Sequence, residues 1–181
     1  MIKMMQRQAK FATYRTVQYQ YSIKPFFSFL KAAILNPREV ELGGGTGAIT
    51  RALLQQGVTP GRLIVIERSP ALVTLLRKQF STVRIIQGNA SELDKLLGSD
   101  NGRVSAVVSS LPLKSLPKSC VLKINQQVNK LLDNKGVFVQ FTYDLRLPPL
   151  SKGQDFSCEH TQIIWKNLPP ARVNTFMHTQ H

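Results

Sequence analysis

The sequence predicts an α/β fold in which helices cover both faces of a mostly parallel sheet. Short apolar runs alternate with amphipathic stretches along the chain, which is the pattern of repeated strand–helix–strand units. A glycine-rich turn links the first apolar run to the first amphipathic stretch, between Val40 and Thr50. The second apolar run ends in an acidic residue, Glu67. In such folds a ligand binds at the carboxyl ends of the strands, so we expect the functional residues at that edge.

The predicted elements follow this alternation along the chain. The first strand is expected to be cut to about three residues before Gly43, because Pro37 cannot pair within a sheet. Ile49, Leu53 and Leu54 predict the first helix at helical spacing. Ser91 and Asp94 suggest a capping box. Further strands are expected at 63–67, 83–86, 104–108, 137–143, 160–165 and 171–176, and helices at 70–79, 91–97 and 118–132, the last closed by a turn at 134–136.

The charge balance favours a polyanionic partner. The chain has 24 Lys and Arg against 10 Asp and Glu, a net charge of +14. Such a surface attracts nucleic acid or an anionic membrane, and charge alone does not distinguish them. Two cysteines, Cys120 and Cys158, are too few for a disulfide framework or a zinc site, so we expect neither, and no metal. No apolar run is long enough to span a bilayer, and the N-terminus does not resemble a secretory signal.

Residues 1–35 are predicted to form a basic amphipathic segment ahead of the main domain, 36–181. The first 21 residues contain Lys3, Arg7, Lys10 and Arg15 and no acid, mixed with large apolar side chains. This composition is typical of a segment that lies in a membrane interface. Two alternatives stay open: a helix that packs on its own domain, or a nucleic-acid surface in which tyrosines stack on bases.

The glycine motif suits a cofactor with a cationic group. Gly43, Gly45 and Gly47 are spaced differently from the dinucleotide fingerprint, and the preceding Glu41 would repel a pyrophosphate. Glu67 is placed to accept hydrogen bonds from ribose hydroxyls. Asn89, after the third strand, can bond the adenine amino group.

This constellation resembles the S-adenosylmethionine site of class I methyltransferases. The resemblance implies a Rossmann-like, seven-stranded sheet with one antiparallel strand, with S-adenosylhomocysteine as the product. It also implies that Glu41 and the three glycines cradle the methionine part, that Glu67 binds the ribose, and that Asn89 and Ala90 bind the adenine. Ser109, at the end of the fourth strand, is assigned to the cofactor as well.

Longer sequence motifs make the resemblance specific to one family of methyltransferases. Ser110-Leu111-Pro112-Leu113, Gln140-Phe141-Thr142-Tyr143 and the stretch from Trp165 to Val173 look like the bacterial phospholipid N-methyltransferases, relatives of the ribosomal RNA adenine dimethylases. That family methylates phosphatidylethanolamine stepwise towards phosphatidylcholine. The resemblance implies a cytoplasmic enzyme that is peripheral on the inner face of the cytoplasmic membrane, with an anionic membrane surface and a phospholipid substrate as partners.

The resemblance also implies which residues contact the substrate. In adenine methyltransferases the fourth strand ends in Asn or Asp, followed later by an aromatic residue that stacks on the base. Ser110 and Leu113 stand there instead, which disfavours nucleic acid. Tyr143 and Tyr21 are candidates to face the methylated nitrogen through cation–π contact. The remaining substrate candidates are Ser110, Leu111 and Pro112, and for the lipid phosphate Lys114, Arg146 and Arg172.

One departure from the family keeps two rivals open. The family has a further segment between Asn36-Pro37-Arg38 and the glycine motif, which forms a helix over the cofactor, whereas here Glu39 follows at once. A missing lid would favour a catalytically weakened or inactive membrane-binding relative. An RNA adenine N6-methyltransferase is the other alternative.

Overall fold

The computed structural model describes residues 38–145, 156–165 and 170–178. The N-terminal segment expected at 1–35, with Tyr21, and the loop residue Arg146 lie outside these ranges. The strands are β1 (Arg38–Leu42), β2 (Leu63–Glu67), β3 (Arg84–Gln87), β4 (Val104–Ser109), β5 (Leu132–Thr142), β6 (Phe156–Ile164) and β7 (Ala171–His178). The helices are α1 (Ala48–Gln55), α2 (Pro70–Gln79), α3 (Leu93–Leu97) and α4 (Lys118–Leu131).

The seven strands form one sheet in the order β3-β2-β1-β4-β5-β7-β6. Strands β1 to β5 pair in parallel, and β7 is antiparallel to both β5 and β6. The order reverses between β1 and β4, and doubly wound folds bind their ligands at such a reversal. The predicted seven-stranded fold with one antiparallel strand is confirmed.

Each face of the sheet has its own hydrophobic core. Alternate residues of the strands pack against α1 and α2 on one face, where Leu53, Val65 and Leu76 are fully buried. The other face packs against α3 and α4, where Leu42 and Leu131 are fully buried. Helices therefore cover both faces, as the alternating pattern predicts.

Strand β1 is longer than predicted. It has five residues from Arg38 and pairs with β2 on one side and β4 on the other. A proline removes only its own N–H from a sheet, so it does not prevent pairing from the following residue onward. Arg38 also forms an ion pair with the buried Asp100, which holds the start of β1.

Strand β5 begins earlier than predicted, at Leu132, so 134–136 lie within the strand and do not close a helix. Leu132 pairs with Val104, and after a shift in register Ala106 pairs with Val137. The intervening residues form a bulge, in which the Lys135 N–H donates to the Asp133 side chain at 2.9 Å. Helix α4 runs directly into this strand, so the sequence contains no turn that would mark the boundary.

The predicted capping box at Ser91 is wrong. Residues Ala90–Glu92 form a 3₁₀ turn, and α3 begins only at Leu93. The Asn89 side chain caps the turn by accepting the Ser91 N–H at 3.1 Å, while the Asp94 N–H donates to Gln127 at 2.7 Å. None of the helices in the described ranges is long and apolar enough to cross a membrane.

Candidate active site

The glycine loop leaves β1 at the carboxyl edge of the sheet. Gly43, Gly45 and Gly47 have φ values of +81°, +55° and +82°, a region that other residues enter only with strain. A Cβ on Gly47 would lie 2.4 Å from the Phe80 ring. At Gly45 the nearest atom to a Cβ is the Gly43 carbonyl oxygen, at 3.9 Å. Gly45 therefore presents bare main chain to open space.

Gly44 has a different role, which the motif spacing does not indicate. A Cβ at this position would lie 2.5 Å from Val65 Cγ1 and 2.8 Å from Leu76 Cδ1, both in the core. The loop thus presses against β2 and α2 at Gly44 and is open at Gly45. Gly44 allows the loop to pack closely on the core, and Gly45 leaves space for a ligand.

Glu67 ties the glycine loop to the end of β2. Its Oε2 accepts the Gly45 N–H at 3.0 Å, and its Oε1 accepts the Ser69 N–H at 2.8 Å. A carboxylate has about four acceptor positions, so two remain for ribose hydroxyls. The side chain lies at the carboxyl edge beside the open glycine, where the sequence places a ribose contact.

Glu41 is fully buried on the α1 side of β1. Its Oε2 accepts the Thr50 hydroxyl at 2.6 Å, whereas Oε1 has no hydrogen-bond partner. Burial raises the pKa of Glu41 to about 8. Glu41 can attract a cationic amine, as the sequence suggests, only in its ionised form. The carboxyl group must therefore lose its proton when the cation binds.

The third strand brings Asn89 and Ala90 to the same edge. Ala90 is buried, and Asn89 Oδ1 already accepts the Ser91 N–H. A carbonyl oxygen has a second lone pair, so Oδ1 can still accept a hydrogen bond from an adenine amino group. It stays a prediction.

The loop after β4 contacts the glycine loop directly. The Ser110 hydroxyl donates to the Gly43 carbonyl at 2.8 Å, and the Ser110 N–H donates to the Leu42 carbonyl at 3.1 Å. Leu111 Cδ2 would lie 2.9 Å from a Cβ on Gly43. The Ser109 hydroxyl accepts the Leu111 N–H at 3.3 Å, which fixes the turn, and Pro112 is exposed just beyond it. The structure thus joins the predicted cofactor and substrate sides at one point.

The remaining substrate candidates are Lys114 in the loop after β4, Tyr143 after β5 and Arg172 in β7. Tyr143 follows β5, is 42% exposed and meets Phe141 edge-on at 6.0 Å. Lys114 forms an ion pair with Asp144, so its charge is partly neutralised within the protein. Arg172 is buried in β7 and donates to the Leu145 carbonyl, which ties the end of β5 to β7.

Three contacting residues are not among the predicted site residues. Thr50 holds Glu41, Phe80 packs on Gly47, and the Gln140 amide group donates to the Leu111 carbonyl at 3.0 Å. Thr50 carried a usable signal, because it is a hydroxyl residue on the apolar face of α1. The positions of Phe80 and Gln140 depend on packing between distant segments and have no local signal.

These features fit S-adenosylmethionine. The open main chain at Gly45 accommodates a ligand that a Cβ would displace, and Glu41 Oε1 is a buried oxygen without a hydrogen-bond partner among the described residues. Glu41, the glycines and Glu67 would hold the methionine and ribose parts, and the cofactor would supply an activated methyl group. No cluster of His, Cys, Asp or Glu that could bind a metal occurs within residues 38–145, 156–165 and 170–178.

Comparisons with known proteins agree with this geometry. A family model described as a methyltransferase domain matches residues 40–136, more than half of the chain. An ornithine lipid N-methyltransferase from Singulisphaera acidiphila is 34% identical over 139 residues, which cover 73% of this chain and 71% of the relative. A ribosomal RNA small subunit methyltransferase A from Chlorobium chlorochromatii is 28% identical over 46% of this chain and 30% of its own length.

Solved structures share the fold. The 1,6-didemethyltoxoflavin-N1-methyltransferase of Burkholderia thailandensis, solved with S-adenosylhomocysteine, has a TM-score of 0.65 at 19% identity and covers 87% of this chain and 78% of its own. The magnesium protoporphyrin IX methyltransferase of Synechocystis, solved with bound S-adenosylmethionine, has a TM-score of 0.65 at 14% identity and covers 90% and 81%. The expectations of a methyltransferase enzyme and of its cofactor are confirmed. The chain therefore belongs to the methyltransferase domain family and is an S-adenosylmethionine-dependent class I methyltransferase.

Proposed function

We propose that this enzyme transfers the methyl group of S-adenosylmethionine to the amine of an aminolipid at a membrane surface. Phosphatidylethanolamine and its methylated derivatives, towards phosphatidylcholine, are the acceptors that the sequence motifs favour. The observation that carries the proposal is the chemistry of the loop after β4, at the point where it contacts the glycine loop.

That loop is apolar where a nucleobase methyltransferase needs polar and aromatic groups. Ser110 uses its hydroxyl proton on the Gly43 carbonyl, and Leu111 packs on the same glycine. Leu113 is partly buried against the α4 side of the core. A flipped adenine requires hydrogen bonds to its edge and a stacking partner, which these side chains do not supply. An amine on an aliphatic lipid requires no stacking partner.

The ornithine lipid N-methyltransferase relative supports a lipid acceptor. Its named lipid and phosphatidylethanolamine share an amine that is close to an anionic group. The ribosomal RNA methyltransferases are similar over less of this chain. We therefore infer an amine acceptor on a lipid and keep the RNA reaction as an outcome of the test.

The protein residues mainly position the acceptor and exclude water. An amine attacks a methyl group only when it is neutral, and an apolar site favours the neutral form of an ammonium group. Leu111 and Leu113 provide such surroundings. Tyr143, which follows β5, stays the predicted residue to face the methylated nitrogen, whose positive charge an aromatic ring attracts.

The large hydrophobic side chains exposed in the described ranges support approach from a membrane. They are Leu122, Tyr143 and Trp165, which are 53%, 42% and 71% exposed. Tyr143 follows β5 and Trp165 follows β6, two strands that run in the same direction, so both lie at the carboxyl edge with the glycine loop. Tyrosine and tryptophan favour the membrane–water interface. A lipid bilayer at this edge would deliver its head groups to the cofactor.

The test combines binding with turnover. Calorimetric titration with S-adenosylmethionine and S-adenosylhomocysteine is compared between the wild type and Glu67→Ala, and radiolabelled methyl transfer is then measured to phosphatidylethanolamine vesicles and to RNA. We expect binding that Glu67→Ala weakens and transfer to the lipid alone. Transfer to RNA and not to lipid would refute the proposal. Binding to vesicles without cofactor binding, from folded protein, would favour the inactive membrane-binding relative.

A further inference from the structure

The α4 face of the sheet contains a buried polar group of side chains next to the candidate active site. We propose that Arg172 and Gln140 bind the zwitterionic head group of the aminolipid, Arg172 its anion and Gln140 Oε1 an N–H of its amine. This assignment rests on the proposed function and adds the acceptor chemistry that the enzyme selects.

Arg172 is a buried cation without an anionic partner among the described residues. Its side chain lies in β7, and the residue is 6% exposed. Nη1 donates to the Thr161 hydroxyl at 3.3 Å, and Nη2 donates to the Leu145 carbonyl. Nε is buried without a hydrogen bond, and no carboxylate in the described part of the chain forms an ion pair with this guanidinium. A buried, uncompensated charge is costly, which is the expected condition of a site that awaits an anion.

Gln140, on the neighbouring strand β5, supplies an unpaired acceptor. The residue is 6% exposed, and its Nε2 donates to the Leu111 carbonyl at 3.0 Å and to the Phe141 carbonyl at 2.7 Å. Both neighbours are acceptors, so the amide nitrogen must face them and the oxygen must point away. That oxygen is buried and has no donor. An N–H group of the ligand would give this oxygen a hydrogen-bond donor.

The sheet register places the two side chains on one face. Gln140 pairs with Asn174, and Thr142 pairs with Arg172, so Gln140 and Arg172 are diagonal neighbours across β5 and β7. Gln140 also pairs with Ser109 at the end of β4. Neighbouring strands lie about 4.8 Å apart, so β7 is roughly 10 Å from β4. A head group that reaches both side chains would extend across β5 from the end of β4.

The donor–acceptor pair defines the chemistry of the ligand. Arginine binds phosphate and carboxylate through parallel N–H bonds, whereas the Gln140 oxygen accepts from an amine. The ligand therefore has an amine and an anion on one short head group. Phosphatidylethanolamine provides a phosphate and an ornithine lipid a carboxylate, and the experiment separates the two.

The experiment measures kcat and KM with three acceptors in neutral phosphatidylcholine vesicles. They are phosphatidylethanolamine, an ornithine lipid, and a glycerolipid with an aminoethyl ether group and no anion. Arg172→Gln is compared with Arg172→Lys. Arg77→Gln is the matched control, because Arg77 also donates to a backbone carbonyl, that of Ile85 at 3.2 Å, but lies on α2. The cofactor Kd is measured for each variant.

We expect the wild type to prefer at least one anion-bearing acceptor by tenfold or more in kcat/KM. Arg172→Gln should raise the KM of that acceptor roughly ten- to hundred-fold, the range for a hydrogen bond to a charged group, and leave the anion-free acceptor and the cofactor Kd within about twofold. Arg172→Lys should restore part of the loss. A phosphate preference identifies a phospholipid, and a carboxylate preference identifies an amino-acid lipid.

Three results would overturn the proposed binding of the head group by Arg172. If the wild type uses the anion-free lipid as well as the other two, it is overturned, even if no Arg172 variant folds. Equal losses for all three acceptors in Arg172→Gln would overturn it too, because they indicate a structural role. Absence of transfer to any acceptor would refute the proposed function and this assignment with it.

Gln140 has a separate readout. A primary or secondary amine offers an N–H to its oxygen, but the neutral dimethylated amine offers none. Gln140→Leu should therefore slow the first transfer more than the last, by about tenfold in the ratio of the two rates. An unchanged ratio would contradict the role of Gln140, because a general packing defect slows both transfers alike.

Discussion

Gly45→Ala should separate cofactor binding from folding. Gly45 has φ +55°, and the nearest atom to an added methyl group would be a carbonyl oxygen 3.9 Å away. The substitution thus meets no packing clash and costs only the left-handed backbone strain, about 1–2 kcal/mol. For a chain of this size that corresponds to a fall in Tm of about 2–8 °C.

The effect on the cofactor should be larger. The methyl group would occupy the open space beside the main chain, where the methionine part of the cofactor is expected to lie. We expect the Kd for S-adenosylmethionine to rise at least about tenfold, which is about 1.4 kcal/mol of binding free energy. Calorimetry gives the Kd, and thermal unfolding without ligand gives the stability.

Gly102→Ala is the matched control. Gly102 has φ +67° and open space where a Cβ would be added, and it precedes β4 at the opposite edge of the sheet. It should lower Tm by a similar amount and leave the Kd unchanged. If Gly45→Ala binds the cofactor as the wild type does, or if Gly102→Ala loses affinity equally, the placement of the ligand against Gly45 is refuted.

Three further substitutions test separate parts of the structure. Gly44→Ala should lower the free energy of unfolding by about 1–3 kcal/mol through overpacking against Val65 and Leu76, as measured by urea unfolding; unchanged stability would contradict the close packing. Glu41→Gln should flatten the pH dependence of stability. Between about pH 4.5 and 8 the unfolded chain ionises Glu41 while the folded chain retains the proton, so wild-type stability falls as pH rises, by on the order of a few kcal/mol, and equal slopes in urea unfolding would refute this. Trp165→Ala should reduce flotation with anionic vesicles severalfold and leave the cofactor Kd unchanged; undiminished flotation would count against a membrane contact at this edge.

Local sequence signals predicted the elements with clear boundaries. Strand β2 ends at Glu67 and α2 begins at Pro70, as expected, because a polar strand end and a proline at the first helical position are local features. The boundary between α4 and β5 was missed, because Leu131 and Leu132 read as one apolar run and the pairing with Val104 depends on tertiary register.

The same distinction applies to the candidate site, where local features could be predicted and contacts between distant segments could not. The glycines could be predicted because positive φ and close approach demand that residue type, and Glu67 because it ends a buried strand. The contact from Ser110 to Gly43 joins residues 67 positions apart, and the bond from Gln140 to Leu111 joins residues 29 apart. Such pairings are set by the order of the strands, which no local pattern specifies.

β1 to β3 form one side of the sheet and β4 to β7 form the other, so the chain divides before β4 into two successive halves. Nearly all of the assigned cofactor contacts, from Glu41 to Ala90, precede this point, and the described substrate candidates from Ser110 to Arg172 follow it. With these predicted contacts, changes in the second half of the chain should alter the acceptor and leave the methyl donor unchanged. A chimera that joins residues 38–109 of this chain to the corresponding second half of a related methyltransferase should retain the cofactor and adopt the acceptor of its new partner.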